Sequence, residues 1–130
     1  MAATQLFTNF DPGQQSRAIN PIVWSSATVG YLFFILDTNA IAYRKSTDSG
    51  ATWGAPVTVI SGIANSISFA LWYDAWNALV TTKVHLVVMG VTAPWVTKYI
   101  SLDTSDDTLS SAVTVDSGTV PVSAAFAAFS

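Results

Sequence analysis

Apolar positions along this chain fall in short β-branched and aromatic runs, broken by Gly, Pro, Asn, Asp and Ser. No stretch of ten or more residues keeps a 3.6-residue period, so the pattern predicts strands. They are expected near 21–26, 30–37, 40–46, 55–60, 66–73, 83–91, 95–102, 111–116 and 120–129. Residues 1–20 read as an N-terminal arm, with Leu6, Phe7 and Phe10 ahead of the turn Asp11-Pro12-Gly13. Residues 21–130 form a single β domain.

The runs repeat. Ala55-Pro56-Val57-Thr58-Val59-Ile60-Ser61-Gly62 matches Ser111-Ala112-Val113-Thr114-Val115-Asp116-Ser117-Gly118 at an offset of 56. Ser46-Thr47-Asp48 matches Ser101-Leu102-Asp103 at an offset of 55, with one residue inserted before Thr108. Tyr31-Leu32-Phe33-Phe34-Ile35 matches His85-Leu86-Val87-Val88-Met89 at an offset of 54. Two four-stranded units follow, at about 21–62 and 63–118, with a further strand in 119–130. The second strand of each unit is apolar on both faces, as a strand inside stacked sheets would be. Four-stranded sheets packed face to face are the blades of a β-propeller, and a β-sandwich is the alternative.

Composition narrows the reading. The chain is 51% hydrophobic and only 10% charged, too apolar for disorder. It either enters a membrane or hides surface against other subunits. The uncharged run 49–73 holds Gly50, Gly54, Pro56, Gly62 and Asn65, so it would not hold as a helix in lipid. The N-terminus lacks the pattern of a signal peptide, and two units are too few strands for a membrane barrel. Five Lys+Arg against eight acidic residues leave no basic footprint for nucleic acid. Without cysteine there are no disulfides, thiolate metal sites or Cys nucleophiles.

The motif that carries a resemblance is Ser-Thr-Asp-Ser-Gly-Ala-Thr-Trp at 46–53. It resembles the Asp box, S-x-D-x-G-x-T-W, of sialidase-like β-propellers at Ser46, Asp48, Gly50, Thr52 and Trp53. A degenerate second copy contains Ser101, Asp103 and Thr108 but lacks the Gly and the Trp. The resemblance implies a structural role, closing the hairpin between the third and fourth strands of a blade. An Asp carboxylate can accept backbone N–H groups two or so residues on. Gly50 can take a positive φ at no steric cost, and Trp53 can cover the turn with its ring.

The family's sialidases use an arginine triad and a Tyr nucleophile activated by Glu. This chain has two arginines, Arg17 and Arg44, and all its acidic residues are Asp, so that site cannot be built within one chain. Paired-carboxylate catalysis would have to draw on Asp37, Asp48, Asp74, Asp103, Asp106, Asp107 and Asp116, most of them in expected turns. The only histidine, His85, lies in an alternating strand, where a core or interface position outweighs a catalytic triad. Asp103, Asp106 and Asp107 read as a solvated turn rather than a Ca²⁺ site, since their spacing is not that of an EF-hand. No catalytic residue, metal or cofactor is expected.

Trp72, Tyr73, Asp74, Trp76 and Trp95 form a candidate sugar or docking site around the loop 74–82. Small two-blade lectins that assemble as trimers use such aromatics. A propeller usually has four to eight blades, so two would leave apolar faces and open edges. Copies of the chain itself are the expected partner, as a trimer of six blades. The phrasing around the box also resembles phage structural and tail-associated proteins. The expected function is therefore a non-enzymatic structural subunit of a virion surface (capsid decoration, fibre or tail-associated), with other virion proteins as expected partners and glycans as a further candidate. The alternative is a small extracellular or cytoplasmic lectin. The third is a fragment of a sialidase-like propeller, against which the coherent Met1 start counts.

Overall fold

The structure is a computed structural model that describes residues 18–19, 21–37, 40–63, 67–73, 82–90 and 95–118. The expected strand 119–130, most of the arm, and Asp74 and Trp76 lie outside the described residues. The described chain is all-β. It has no helix, hence none long and apolar enough to cross a membrane.

The strands are β1 (Ala18–Ile19), β2 (Ile22–Trp24), β3 (Gly30–Asp37), β4 (Ala40–Ser46), β5 (Val57–Ile60), β6 (Ile67–Tyr73), β7 (Lys83–Gly90), β8 (Trp95–Asp103), β9 (Thr108–Leu109) and β10 (Val113–Gly118). The first sheet runs β2-β3-β4-β5, antiparallel throughout. The second runs β1-β6-β7-β8-β10, with β9 also paired to β8. Among the described residues neither sheet closes into a barrel. Strand content follows local chemistry. β5 begins after Pro56, which has no N–H for the ladder. The fourth strand of the second sheet is interrupted, and its main part starts two residues later than expected, at Val113. There Ser110 bonds Ser101 twice, donating N–H to its carbonyl at 2.9 Å and accepting its N–H on the hydroxyl at 3.0 Å.

β1 lies at the end of the segment read as an arm. It pairs in parallel with β6, Ala18 opposite Phe69 and Ile19 opposite Ala70. The chain therefore touches the second sheet before building the first. A two-residue strand has no period to betray it in the sequence.

The pairing registers of the two sheets correspond. Tyr31 faces Lys45 and Phe33 faces Tyr43, as His85 faces Ser101 and Val87 faces Tyr99. Val57 faces Tyr43 and Val113 faces Tyr99. The ladder then slips after Thr58 and after Thr114, leaving Val59 and Val115 as equivalent bulged residues. A bulge is a built feature of a strand, not a defect. Its recurrence at an offset of 56 makes the repeat structural.

One core joins the sheets, and unlike faces meet in it. The first sheet contributes Val23, Tyr31, Phe33, Ile41, Tyr43 and Val59. The second contributes Phe69, Leu71, Val84, Leu86, Val88, Ile100 and Leu102. By register, Tyr31 and Phe33 correspond to His85 and Val87, which lie on the far side of β7 from Leu86 and Val88. The strand period of two makes that distinction. Burying rings the size of Phe33 and Phe69 contributes about 1.5–3 kcal/mol each.

Candidate functional site

Two hairpin turns and one open sheet face concentrate the polar and aromatic chemistry. The first turn, 46–53, is built around a carboxylate. Asp48 Oδ1 accepts the Thr52 N–H at 2.8 Å and the Ser46 hydroxyl at 2.8 Å, and Oδ2 accepts the Thr52 hydroxyl at 2.5 Å. The Ser46 hydroxyl in turn accepts the Gly50 N–H at 2.9 Å. Ser49 and Gly50 hold φ values of 60° and 85°, so the chain reverses through two left-handed residues. That conformation costs glycine least. The Gly54 N–H closes the hairpin on the Lys45 carbonyl at 2.8 Å, and Arg44 Nη1 donates to the Gly54 carbonyl at 2.8 Å.

Trp53 is half-buried, with its ring centroid 6.2 Å from that of Trp24. Trp24 is the larger surprise, since the sequence reading assigned it no role. Its ring lies across Gly30, where an added Cβ would sit 2.7 Å from the indole, and across Gly50, where it would sit 3.3 Å away. Nothing in the sequence pattern marks one ring as packing on both glycines.

The second turn uses other residues. Asp103 Oδ1 accepts the Ser105 N–H at 3.0 Å, the Ser105 hydroxyl at 2.7 Å and the Thr82 hydroxyl at 2.5 Å. Asp106 Oδ1 accepts the Thr108 N–H at 3.0 Å and also the Thr108 hydroxyl. Ser101 stands by register where Lys45 stands, not where Ser46 stands. Asp107 turns the chain at φ 62°. Both turns are tied to the preceding loop in one way. Ser49 N–H donates to the Thr28 carbonyl at 2.9 Å, and Thr104 N–H donates to the Thr82 carbonyl at 2.8 Å.

These bonds fix the charge states. The Thr52 hydroxyl and N–H, with the Ser46 hydroxyl, pull the Asp48 carboxyl down to about 2. The Ser105 and Thr82 hydroxyls pull Asp103 down to about 2. Hydrogen bonds to the charged form favour it, so both carboxylates stay ionised. A general acid needs the opposite shift.

Asp107 reaches across to the first sheet. It accepts the Tyr31 hydroxyl and the Lys45 ammonium, each at 2.6 Å. The Lys45 ammonium also sits 5.4 Å from the centre of the Tyr31 ring. Burial works against the Asp107 charge, yet the bonds from Lys45 and Tyr31 outweigh it and hold the pKa below the usual range. Burial, then the Asp107 contact, pushes Tyr31 well above the ordinary tyrosine value. Asp103, Asp106 and Asp107 thus bond to different partners. Among the described residues no three His or Asp groups are placed to hold a metal ion.

The outer face of the second sheet carries a row of rings. His85 lies between Trp72, with centroids 5.3 Å apart, and Tyr99, at 5.9 Å and stacked. His85 Nδ1 and the Tyr99 hydroxyl are 2.6 Å apart. Trp72 is 44% exposed. Tyr73, its neighbour in β6, packs on the core instead, because successive strand residues point to opposite faces. The candidate set of Trp72, Tyr73, Asp74, Trp76 and Trp95 is therefore not brought together as such: the side chain of Trp95, like Asp74 and Trp76, lies outside the described residues. His85 and Tyr99 join Trp72 in their place. The pairing register of β6, β7 and β8, which the sequence does not carry, brings them together. No protein-family model matches this chain, and no curated protein sequence does.

Proposed function

We propose that this chain is a non-enzymatic structural subunit that assembles with itself on a virion surface, as a capsid decoration, fibre or tail-associated protein. Its units are read as propeller blades, and the 46–53 turn as an Asp box that closes a blade hairpin. The observation that carries the reading is the open outer face of the second sheet. Trp72 in β6 and Val113 and Val115 in β10, at 44%, 56% and 63% exposure, flank the half-buried Val87 and Met89 of β7. Exposed apolar side chains of this kind support an interaction site. The turns support the same reading, since their carboxylates are spent on the turns themselves and on the contact between sheets. Six blades from three copies is the expected closure.

Sedimentation equilibrium tests it. A defined oligomer, most simply a trimer, is the expected result. A species that stays monomeric at high concentration would sink the proposal.

A second reading, a small oligomeric lectin, is favoured by the Trp72–His85–Tyr99 row. An exposed indole can stack on a sugar face, with the His85 and Tyr99 polar atoms beside it. Glycan-array binding that disappears in Trp72→Ala would support it, and binding to no glycan would remove it.

A further inference from the structure

We propose that His85 makes the outer face of the second sheet an acid-released surface. Copies of the chain associate through that face while the imidazole is neutral and separate when it is protonated. The proposal rests on the self-assembly reading and adds the regulation of that same face. His85 is the only histidine of the chain. Imidazole ordinarily changes charge near about pH 6.5, inside the range from 5 to 8. Along β7, His85, Val87 and Met89 point outward, while Val84, Leu86 and Val88 point into the core. Trp72 of β6 stands opposite His85, Tyr99 of β8 opposite Val87, and Val113 of β10 opposite Tyr99. The half-buried imidazole therefore sits between an indole and a phenol ring, with apolar side chains next along the same face.

A separate copy can carry the ring in either charge state. Nδ1 lies 2.6 Å from the Tyr99 hydroxyl. A hydroxyl donates to a neutral nitrogen and accepts from a protonated one, so this bond survives protonation. The flanking aromatic rings attract a cation through their faces, and the open side of the row faces solvent. A second copy laid on the face takes that solvent away. Covering an imidazolium with apolar surface costs more than covering the neutral ring. Association therefore favours the neutral form. By linkage, acid favours separation as pH falls through the value of the separate copy.

The other groups facing His85 do not change charge in that range. Among the described residues they are Tyr99 on β8, Lys83 two positions back along β7, and Asp103 opposite Lys83. Asp116 of β10 stands further along the face, opposite Thr97. Asp103 is held at about 2 by the hydroxyls of its own turn. Carboxyl groups ordinarily titrate near about pH 4, and lysine and tyrosine near about pH 10.

Sedimentation equilibrium at pH 8 and pH 5 tests this, with NMR of the one histidine ring. The wild type should associate at pH 8 and come apart at pH 5, with circular dichroism unchanged. Each unit by which association lowers the imidazole value weakens assembly up to about tenfold per covered His85. His85→Gln stays polar but does not titrate, so it should assemble equally at both pH values. The histidine resonance should titrate at lower pH in the oligomer than in the diluted monomer. Should His85→Gln fail to assemble at pH 8, that resonance decides: equal titration in both states overturns the switch. A wild-type oligomer equally strong at pH 5 would overturn the switch and leave self-assembly standing. So would a His85→Gln oligomer that still separates in acid, or a chain that unfolds at pH 5. A wild type monomeric at both pH values would overturn both readings.

Discussion

The 46–53 turn and the turn after Asp103 close equivalent hairpins, and each ties itself to the loop ahead of its sheet's second strand. They differ in where the remaining chemistry points. The first turn is self-contained: Ser46, Asp48 and Thr52 satisfy one another, and Trp24 seals the glycine. The second has lost the glycine and the tryptophan of the pattern, but its Asp107 binds Tyr31 and Lys45 of the other sheet. A turn can drift from its motif when hydroxyl donors replace the lost contacts, and the freed position can join two sheets. The same comparison extends to the sheets. Equivalent positions such as Val59 and Val115 are core in the first and exposed in the second.

Three measurements would break or sharpen that comparison. The largest effect is expected at the paired positions Phe33 and Val87. Phe33→Ala should cost about 3–5 kcal/mol by urea unfolding, as a large core ring lost to a cavity does. Val87→Ala, at low protein concentration, should cost under about 1 kcal/mol. Equal costs would mean that the two faces are equally buried.

Next comes the contact between sheets. Asp107→Ala leaves the buried Tyr31 hydroxyl with only the longer bond to the Thr104 carbonyl, 3.3 Å away. A loss of about 1–3 kcal/mol is expected for the impaired group. A double-mutant cycle with Tyr31→Phe should show coupling of about 0.5–3 kcal/mol. Amide exchange should rise in both sheets for Asp107→Ala but only around the first hairpin for Asp48→Ala. Identical exchange patterns would erase the distinction between the turns.

The smallest effect is in acid. Asp48 and Asp103 are both held at about 2, below the ordinary carboxyl value of 3.8. Their contribution to stability is complete above the unfolded value and is lost as pH falls through the folded one. The unfolding midpoint should therefore drop between about pH 4 and pH 2. Asp48→Asn and Asp103→Asn should each flatten that drop by a similar amount. A flattening by one alone would show that the second turn does not reproduce the first.

Much of the fold was legible because strands leave a local record. The apolar runs placed β3, β4, β6 and β7 within a residue or so. The offsets of 54 and 56 agree with the matched registers, and the bulges at Val59 and Val115 recur at 56, whereas the Ser46–Ser101 match at 55 does not hold in the pairing. The 46–53 turn was legible for the same reason, since its bonds run between residues four or fewer apart. Ala18–Ile19 was not, because its partner Phe69–Ala70 lies some fifty residues on. Nor were Trp24 over Gly50, Asp107 against Lys45, and Trp72 beside His85. Each depends on which residues a register or a sheet contact places opposite.

The sequence alone thus determined strand content, the repeat and the turn around Asp48. Those are properties of neighbours along the chain. Only the tertiary structure decided that unlike faces of the two units meet. It placed Tyr31 and Phe33 inside and left their counterparts His85 and Val87 on an outer face. A period of two says that a strand has two faces, but it carries no information on which face the other sheet covers.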